Sequence, residues 1–380
     1  MAAMLAETAL RGLEFVRDHT DLDTPCLVVD ESRLQANIAE MASFAASAGV
    51  GLRPHIKTHK TPEIARLQLA AGAVGLTCAK LGEAEIMVGL AGADDVLLAY
   101  PTVGETKIAR LLALMERARI TVALDSREAG RALCQAMAAQ DRILDVYVEV
   151  NTGQDRAGAH FGDEAVSLAK DLARIPGLRV IGIMTHEGQA NAAEPDQLES
   201  VALEAGRAIV ATAEAIRAAG IDIQEVSVGS TPAAKFTPTV PGVTEMRPGT
   251  YVFNDNSAFR HGRTGPEDCA LHILATVVSR PAPDRAVIDA GSKTLTMDPS
   301  KSHPGHGYIV GHPNARIARI SEEHGVVLLP EGEDGFHVGH RVEIIPNHVC
   351  PAVNLQDQLF ILRDGRLADV WDIAARGKVR

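Results

Sequence analysis

The chain has 380 residues, 46% of them hydrophobic but only 3% aromatic, and 49 Asp and Glu against 37 Lys and Arg give a formal net charge of −12. That acidic balance argues against a nucleic-acid partner, since neutralising phosphates needs a basic face, and no run approaches the roughly 18 apolar residues of a membrane span. Five scattered cysteines without CxxC spacing suit a reducing compartment, and Glu7 and Glu14 interrupt any signal-peptide-like run, so the expectation is a cytoplasmic protein.

A chain of this length outgrows one hydrophobic core, so a barrel plus a smaller module is expected. After an N-terminal segment (1–24), expected to pack near the C-terminal domain, one unit recurs over 25–255: a short β-branched run, a loop, then an amphipathic helical stretch. The runs are CLVVD (26–30), LRPHIK (52–57), VGLTCAK (74–80), DVLLAY (95–100), ITVALD (120–125), LDVYVEV (144–150), LRVIGIMTH (178–186), IQEVSVG (223–229) and VTEMRPGTYVF (243–253). In the first linking helix Ser32 and Gln35 offer a capping box, Leu34, Ile38, Met41 and Ala45 form the apolar stripe, and Gly49 supplies the stop. A later helix is expected from Asp196, with Glu199 three residues on, through Leu198, Ala202, Ala205, Ile209, Ala213 and Ile216 to Gly220. Eight or nine such units fit a TIM-type (β/α)8 barrel better than an open doubly wound sheet.

From 256 to 380 the pattern changes to alternating runs, ALHILATVVS, AVIDAG, GVVLLP and RVEIIP, and Asp364-Gly365 between two further runs is a strong hairpin signal. The predicted fold is therefore an α/β barrel followed by a mainly β C-terminal domain.

Barrels of this kind place their chemistry at the C-terminal ends of the strands. Lys57, Lys80, Tyr100, Asn151 with Arg156, His186, Ser227 to Thr231 and Tyr251 all fall there. If LRPHIK is a strand, alternation sends Arg53, His55 and Lys57 to the barrel axis. Three cationic or imidazole groups in one confined interior would favour an amine that acts as a nucleophile. The alternative is a strand-end lysine that snorkels to solvent.

Taken in order, DTPCLVVD (23–30), RPHIKTHK (53–60), NTGQDRAG (151–158), GIMTHEG (182–188), SVGSTP (227–232), TEMRPGTYVF (244–253) and PNHVC (346–350) resemble the pyridoxal-phosphate enzymes of the D-threonine aldolase and D-serine dehydratase group. These have an alanine-racemase-like fold, a PLP-binding barrel plus a β-domain, and the resemblance covers almost the whole chain. It implies that Lys57 is the Schiff-base lysine, that His186 lies against the cofactor ring and that Arg156 stands near cofactor or substrate. It further implies that Arg247 faces the pyridine nitrogen, where an arginine keeps that nitrogen unprotonated. Gly229, Ser230 and Thr231, with Gly249, Thr250 and Tyr251, match two phosphate-side segments following the last two strands, an arrangement typical of barrel phosphate sites. Without the resemblance, Gly-Ser-Thr is ordinary turn chemistry and His186 a satisfied strand-end histidine.

His348 and Cys350, at i and i+2 on an expected strand, would share one face and could hold a metal with open positions. Their plain alternative is a loop histidine beside a buried cysteine; the group's metal pair favours the former. A thiolate suits zinc, whereas the carboxylate version of the pair suits manganese or magnesium. The stretch DAGSKTLTMD (289–298) lacks the tyrosine that racemases use as second acid/base, which disfavours racemisation.

The implied activity is a PLP- and divalent-metal-dependent lyase acting on a small D-3-hydroxy amino acid. Retro-aldol cleavage to glycine and an aldehyde, with His348 or a metal-bound hydroxide as candidate base, is preferred to dehydration of D-serine or D-3-hydroxyaspartate. A homodimer is implied by the same resemblance. A non-catalytic PLP carrier, of the kind built on a barrel alone, ranks lower because this chain has a β-domain with a metal pair.

Overall fold

Of the nine predicted apolar runs, eight form one parallel sheet. A computed structural model describes residues 21–380 apart from Arg263, Lys301 and Asp334; most of the expected N-terminal segment thus lies outside the described residues. The sheet runs Gly51–Leu52, Glu245–Met246, Glu225–Val228, Leu178–Met184, Leu144–Asn151, Arg119–Leu124, Asp95–Leu98 and Leu76–Cys78. It closes on itself through the segment after Leu52. On one flank Arg53 N donates to Met246 O at 2.9 Å and His55 N to Pro248 O at 3.0 Å; on the other Thr77 N donates to Pro54 O and Ile56 N to Thr77 O, both at 2.9 Å. Pro54 has no N–H for a regular ladder, which explains why the expected six-residue strand shrinks to Gly51–Leu52 plus a bridge at His55.

The ninth run, CLVVD, corrects the sequence reading. Cys26–Asp30 pairs antiparallel with Leu271–Ala282 and parallel with Gln358–Arg363, in the other sheet. A strand covered on both faces reads as a continuous apolar run in either setting, so its partners are invisible in its composition. The described residues through Asn37 accordingly cluster with Val252–Arg376, and Ile38–Tyr251 with Gly377–Arg380 form the second unit.

The linking helices follow the predicted periodicity more closely than the predicted caps. Helix Glu31–Ala48 is capped by Asp30, whose Oδ1 accepts from Arg33 N at 3.0 Å and from Ser32 Oγ at 2.6 Å; Ser32 itself lies inside the helix. Helix Leu198–Ala218 begins two residues after Asp196 without a side-chain cap, yet Leu198, Ala202, Ala205, Ile209, Ala213 and Ile216 are its buried stripe. Among the described residues no helix is long and apolar enough to cross a membrane.

The barrel interior has two halves. Leu97, Ala123, Tyr147, Ile181 and Met184, with Ala99 against them, fill one side with hydrocarbon. On the other, Arg53, Ser227, Glu245 and Arg247 are all buried and linked side chain to side chain. In the unit that holds Val252–Arg376 a nine-stranded sheet is built on Cys26–Asp30 and Leu271–Ala282, and the predicted hairpin joins Gln358–Arg363 to Arg366–Asp372. Its turn residues Asp364 and Gly365 have φ of 52° and 73°, the left-handed pair that a type I′ turn requires.

Candidate active site

RPHIKTHK divides into groups with different partners. Arg53 does face inward, but it is already compensated: Nε lies 2.6 Å from Glu245 and Nη1 2.6 Å from Asp95. Burial opposes its charge, and the two carboxylates overcome that and push its pKa up. Three uncompensated cationic groups therefore do not share this interior, contrary to the reading from alternation alone. His59 and Lys60 are structural. Neutral His59 sits fully buried, accepting from Thr61 N on Nδ1 at 3.1 Å and facing Gln68 Oε1 with Nε2 at 3.2 Å. Lys60 is buried in an ion pair with Glu83 at 2.9 Å.

His55 and Lys57 remain, and His186 and Arg247 lie close enough to act on them. Burial first, then the charges of Lys57 and Arg247 and the neighbouring His186, hold His55 well below the usual imidazole range. Burial, then Lys57, bring His186 down to about 3, against the hydrogen bond to Gly229. Both rings are thus neutral near pH 7. His186 Nδ1 contacts the Gly229 carbonyl, so Nδ1 carries the proton and Nε2 keeps a bare lone pair.

Gly229 is gripped twice, because its N–H also donates to buried Glu187 at 2.9 Å. Its N–H is therefore committed, and what it contributes to an anion cradle is the absence of a side chain. A Cβ at Gly229 would sit 2.9 Å from Arg247 Cβ, and one at Gly249 would sit 3.0 Å from both His55 O and Thr58 Oγ1. Only glycine lets SVGSTP, TEMRPG and RPHIKT approach this closely. Thr231 Oγ1 is buried with no hydrogen-bond partner among the described residues, an orphan that a bound acceptor would satisfy. Ser230 accepts from Ala233 N at 3.4 Å, and Thr250 opens a short 3-10 turn. Tyr251 is buried, its oxygen accepting from Gln68 Nε2 at 3.0 Å, which leaves its own O–H to offer.

Arg247 donates to Ser227 Oγ and, at 2.6 Å, to Thr185 O. Ser227 in turn donates to Glu245 Oε1 at 2.5 Å. Burial lowers the Arg247 pKa, with Glu245 and Glu187 opposing. Arg156 is half exposed in a loop organised by Asn151, whose Oδ1 accepts from Gly153 N and Asp155 N, and it approaches buried Glu149 at 4.0 Å. Lys80 and Tyr100 pair with each other instead, Nζ lying 3.5 Å from the ring centroid.

In the β-unit His348 and Cys350 do come together, although not on a strand. His348 precedes the short helix Val349–Asn354 and Cys350 is its second residue. Burial would lower the His348 pKa; the hydrogen bond to Cys350, with Asp255 and Asp298 nearby, lifts it to about 9. Among the described residues no three His, Cys, Asp or Glu converge as a metal cluster, so His348 and Cys350 stand as a pair. Borderline nitrogen and soft sulfur donors in contact fit a divalent ion such as zinc.

Sequence reasoning missed Glu149, Glu187, Glu245 and Asp298. The signal for the first was present: alternation in LDVYVEV puts Glu149 on the same face as Tyr147, and a carboxylate on an inward face calls for a partner.

A closed parallel barrel, a lysine beyond its first strand and a glycine-lined cradle with an orphaned hydroxyl define a pyridoxal-phosphate enzyme of alanine-racemase-like fold. Residues 29–257 match the family "Alanine racemase, N-terminal domain", and residues 270–362 match a serine dehydratase domain. The chain is 36% identical to a D-threonine aldolase from Arthrobacter sp., covering 94% of this chain and 93% of that protein. It is 35% identical to a D-threo-3-hydroxyaspartate dehydratase from Delftia sp. (strain HT23), covering 87% and 91%. The crystal structure of D-threonine aldolase from Filomicrobium marinum superposes with a TM-score of 0.89 at 35% identity, covering 96% of this chain and 99% of that one. This chain belongs to the D-threonine aldolase and D-serine dehydratase group, pyridoxal-phosphate lyases of the aldolase and dehydratase type.

Proposed function

We propose that this protein splits the Cα–Cβ bond of a D-threonine-type D-3-hydroxy amino acid, releasing glycine and an aldehyde. The observation that carries this reading is the convergence of Lys57, two neutral histidines and Arg247 beside the Gly229–Thr231 cradle, in a chain 36% identical to a D-threonine aldolase.

Pyridoxal phosphate, when bound, supplies the electron sink for the bond that breaks at Cα. Lys57 would hold it covalently, while Ser230, Thr231, Gly249, Thr250 and Tyr251 would line the phosphate side, where Gly229 makes room. His186, kept neutral with Nε2 bare, adds no competing positive charge. Arg247, fixed by Ser227 and Thr185, would donate to the ring nitrogen, and Arg156 would stand toward the substrate. His348 and Cys350 would hold a divalent metal, zinc by the softness of the thiolate, with manganese or magnesium the harder alternatives. As the metal's histidine ligand, His348 would act on the substrate's β-hydroxyl through the ion, easing loss of the proton without which the aldehyde cannot leave.

Dehydration is the second reading, favoured by the 35% identity to the 3-hydroxyaspartate dehydratase. There Lys57 would remove the α-proton and the hydroxyl would depart. The protein loaded with PLP and metal, given D-threonine and D-serine, separates the two. Glycine and acetaldehyde are expected from D-threonine; pyruvate from D-serine with no retro-aldol activity overturns the assignment. We further infer a cytoplasmic homodimer. All five cysteines are free, as a reducing compartment predicts, and light scattering on the purified protein tests the dimer.

A further inference from the structure

We infer that Asp298, set in place by Asn347, is the positioning residue that orients His348 for its metal; this rests on the reading of His348 and Cys350 as a metal pair. Asp298 Oδ2 lies 2.6 Å from His348 Nδ1. With a carboxylate on that edge, Nδ1 carries the proton, and Nε2 is the nitrogen left to bind a metal. The two residues are 50 apart in sequence, so something must hold the Asp298 segment against the helix that His348 precedes.

Asn347 does this. Its Nδ2 donates to Asp298 O at 3.0 Å and to Gly305 O at 2.8 Å. Its Oδ1 accepts from Asn256 Nδ2 at 2.7 Å, and its own carbonyl accepts from Ser257 Oγ at 2.5 Å. Asn347 is 1% exposed, so none of these bonds competes with bulk water. Asp255 braces the other side, accepting from Val349 N at 3.0 Å and Ser257 N at 3.1 Å. The residue before the metal histidine thus grips the backbone of the residue whose carboxylate orients it. The tripeptide Pro-Asn-His acts as one device, and the final residue of DAGSKTLTMD acquires a role.

Outer-sphere carboxylates of this kind change metal affinity by about 10–100-fold. Zinc titration against a chromophoric competitor, on the full chain without substrate, reads this directly. Asp298→Ala is expected to weaken zinc by about 10–100-fold, and Asp298→Asn by less, because an amide oxygen still accepts from Nδ1–H. Cobalt substitution supplies a second readout: the thiolate-to-cobalt charge-transfer band should survive in both variants at saturating metal, showing that Cys350 still ligates. A purely structural Asp298 would lower the unfolding midpoint of the metal-free protein and leave the zinc affinity within about twofold of wild type, which overturns the inference while wild type still binds. If His348→Ala binds zinc as tightly as wild type, or wild type binds none, the metal pair itself falls and this inference with it.

Discussion

The two halves of the barrel interior belong to one parallel sheet and are equally buried, yet they are stabilised in opposite ways. The half built from Leu97, Ala99, Ala123, Ile181 and Met184 gains stability with every methylene removed from water. The half built from Arg53, Ser227, Glu245 and Arg247 puts charges where burial opposes them and recovers the cost through close pairs at 2.5–2.6 Å. Where the sheet lacks long strands, at Gly51–Leu52 and Glu245–Met246, the charged half lies. Arg247, the candidate cofactor-side arginine, thus lies among the shortest strands of the barrel, in keeping with the tendency of local irregularity to gather at functional sites.

The comparison can be broken at several points. Lys57→Ala should abolish cofactor attachment and lower turnover by about 10³-fold or more, since the covalent anchor is lost; retained turnover would move the chemistry elsewhere. Glu245→Ala leaves buried Arg53 with Asp95 alone and takes a favourable charge from Arg247, and should cost about 3–5 kcal/mol in urea unfolding, as removing one partner of a buried ion pair does. Between Thr61 and Gln68, His59 is held near pKa 3 by burial, against 6.5 when unfolded. As pH falls below 6.5 the unfolded chain takes up a proton that the folded one refuses, so stability drops. Relative to His59→Gln, the wild type should lose about 1.4 kcal/mol per pH unit between pH 6 and 4. On the apolar side Ile181→Val should cost only about 0.5–1.5 kcal/mol. An apolar-side loss as large as that of Glu245→Ala would erase the distinction.

Much of this was legible in the sequence, for physical reasons. Period-two runs and 3.6-residue stripes identify strands and helices because burial enforces them, and Asp364-Gly365 identifies a hairpin because few other pairs adopt its turn. Strand partners are different. CLVVD carries no mark of which sheet takes it, and Arg53 reads as a free cation until Glu245, 192 residues away, is folded against it. Lys57, His186 and the Gly-Ser-Thr turn stand out in ordered motifs. Asp298 does not, since its part depends on Asn347 reaching across from another segment.

The most direct test of the account is borohydride reduction of the PLP-loaded protein followed by peptide mapping. Three lysines compete for the assignment: Lys57 beside His55 and His186, Lys60 bound to Glu83, and Lys80 against the Tyr100 ring. The account predicts the reduced cofactor on Lys57 alone; label on Lys60 or Lys80, or no stable label at all, would contradict it.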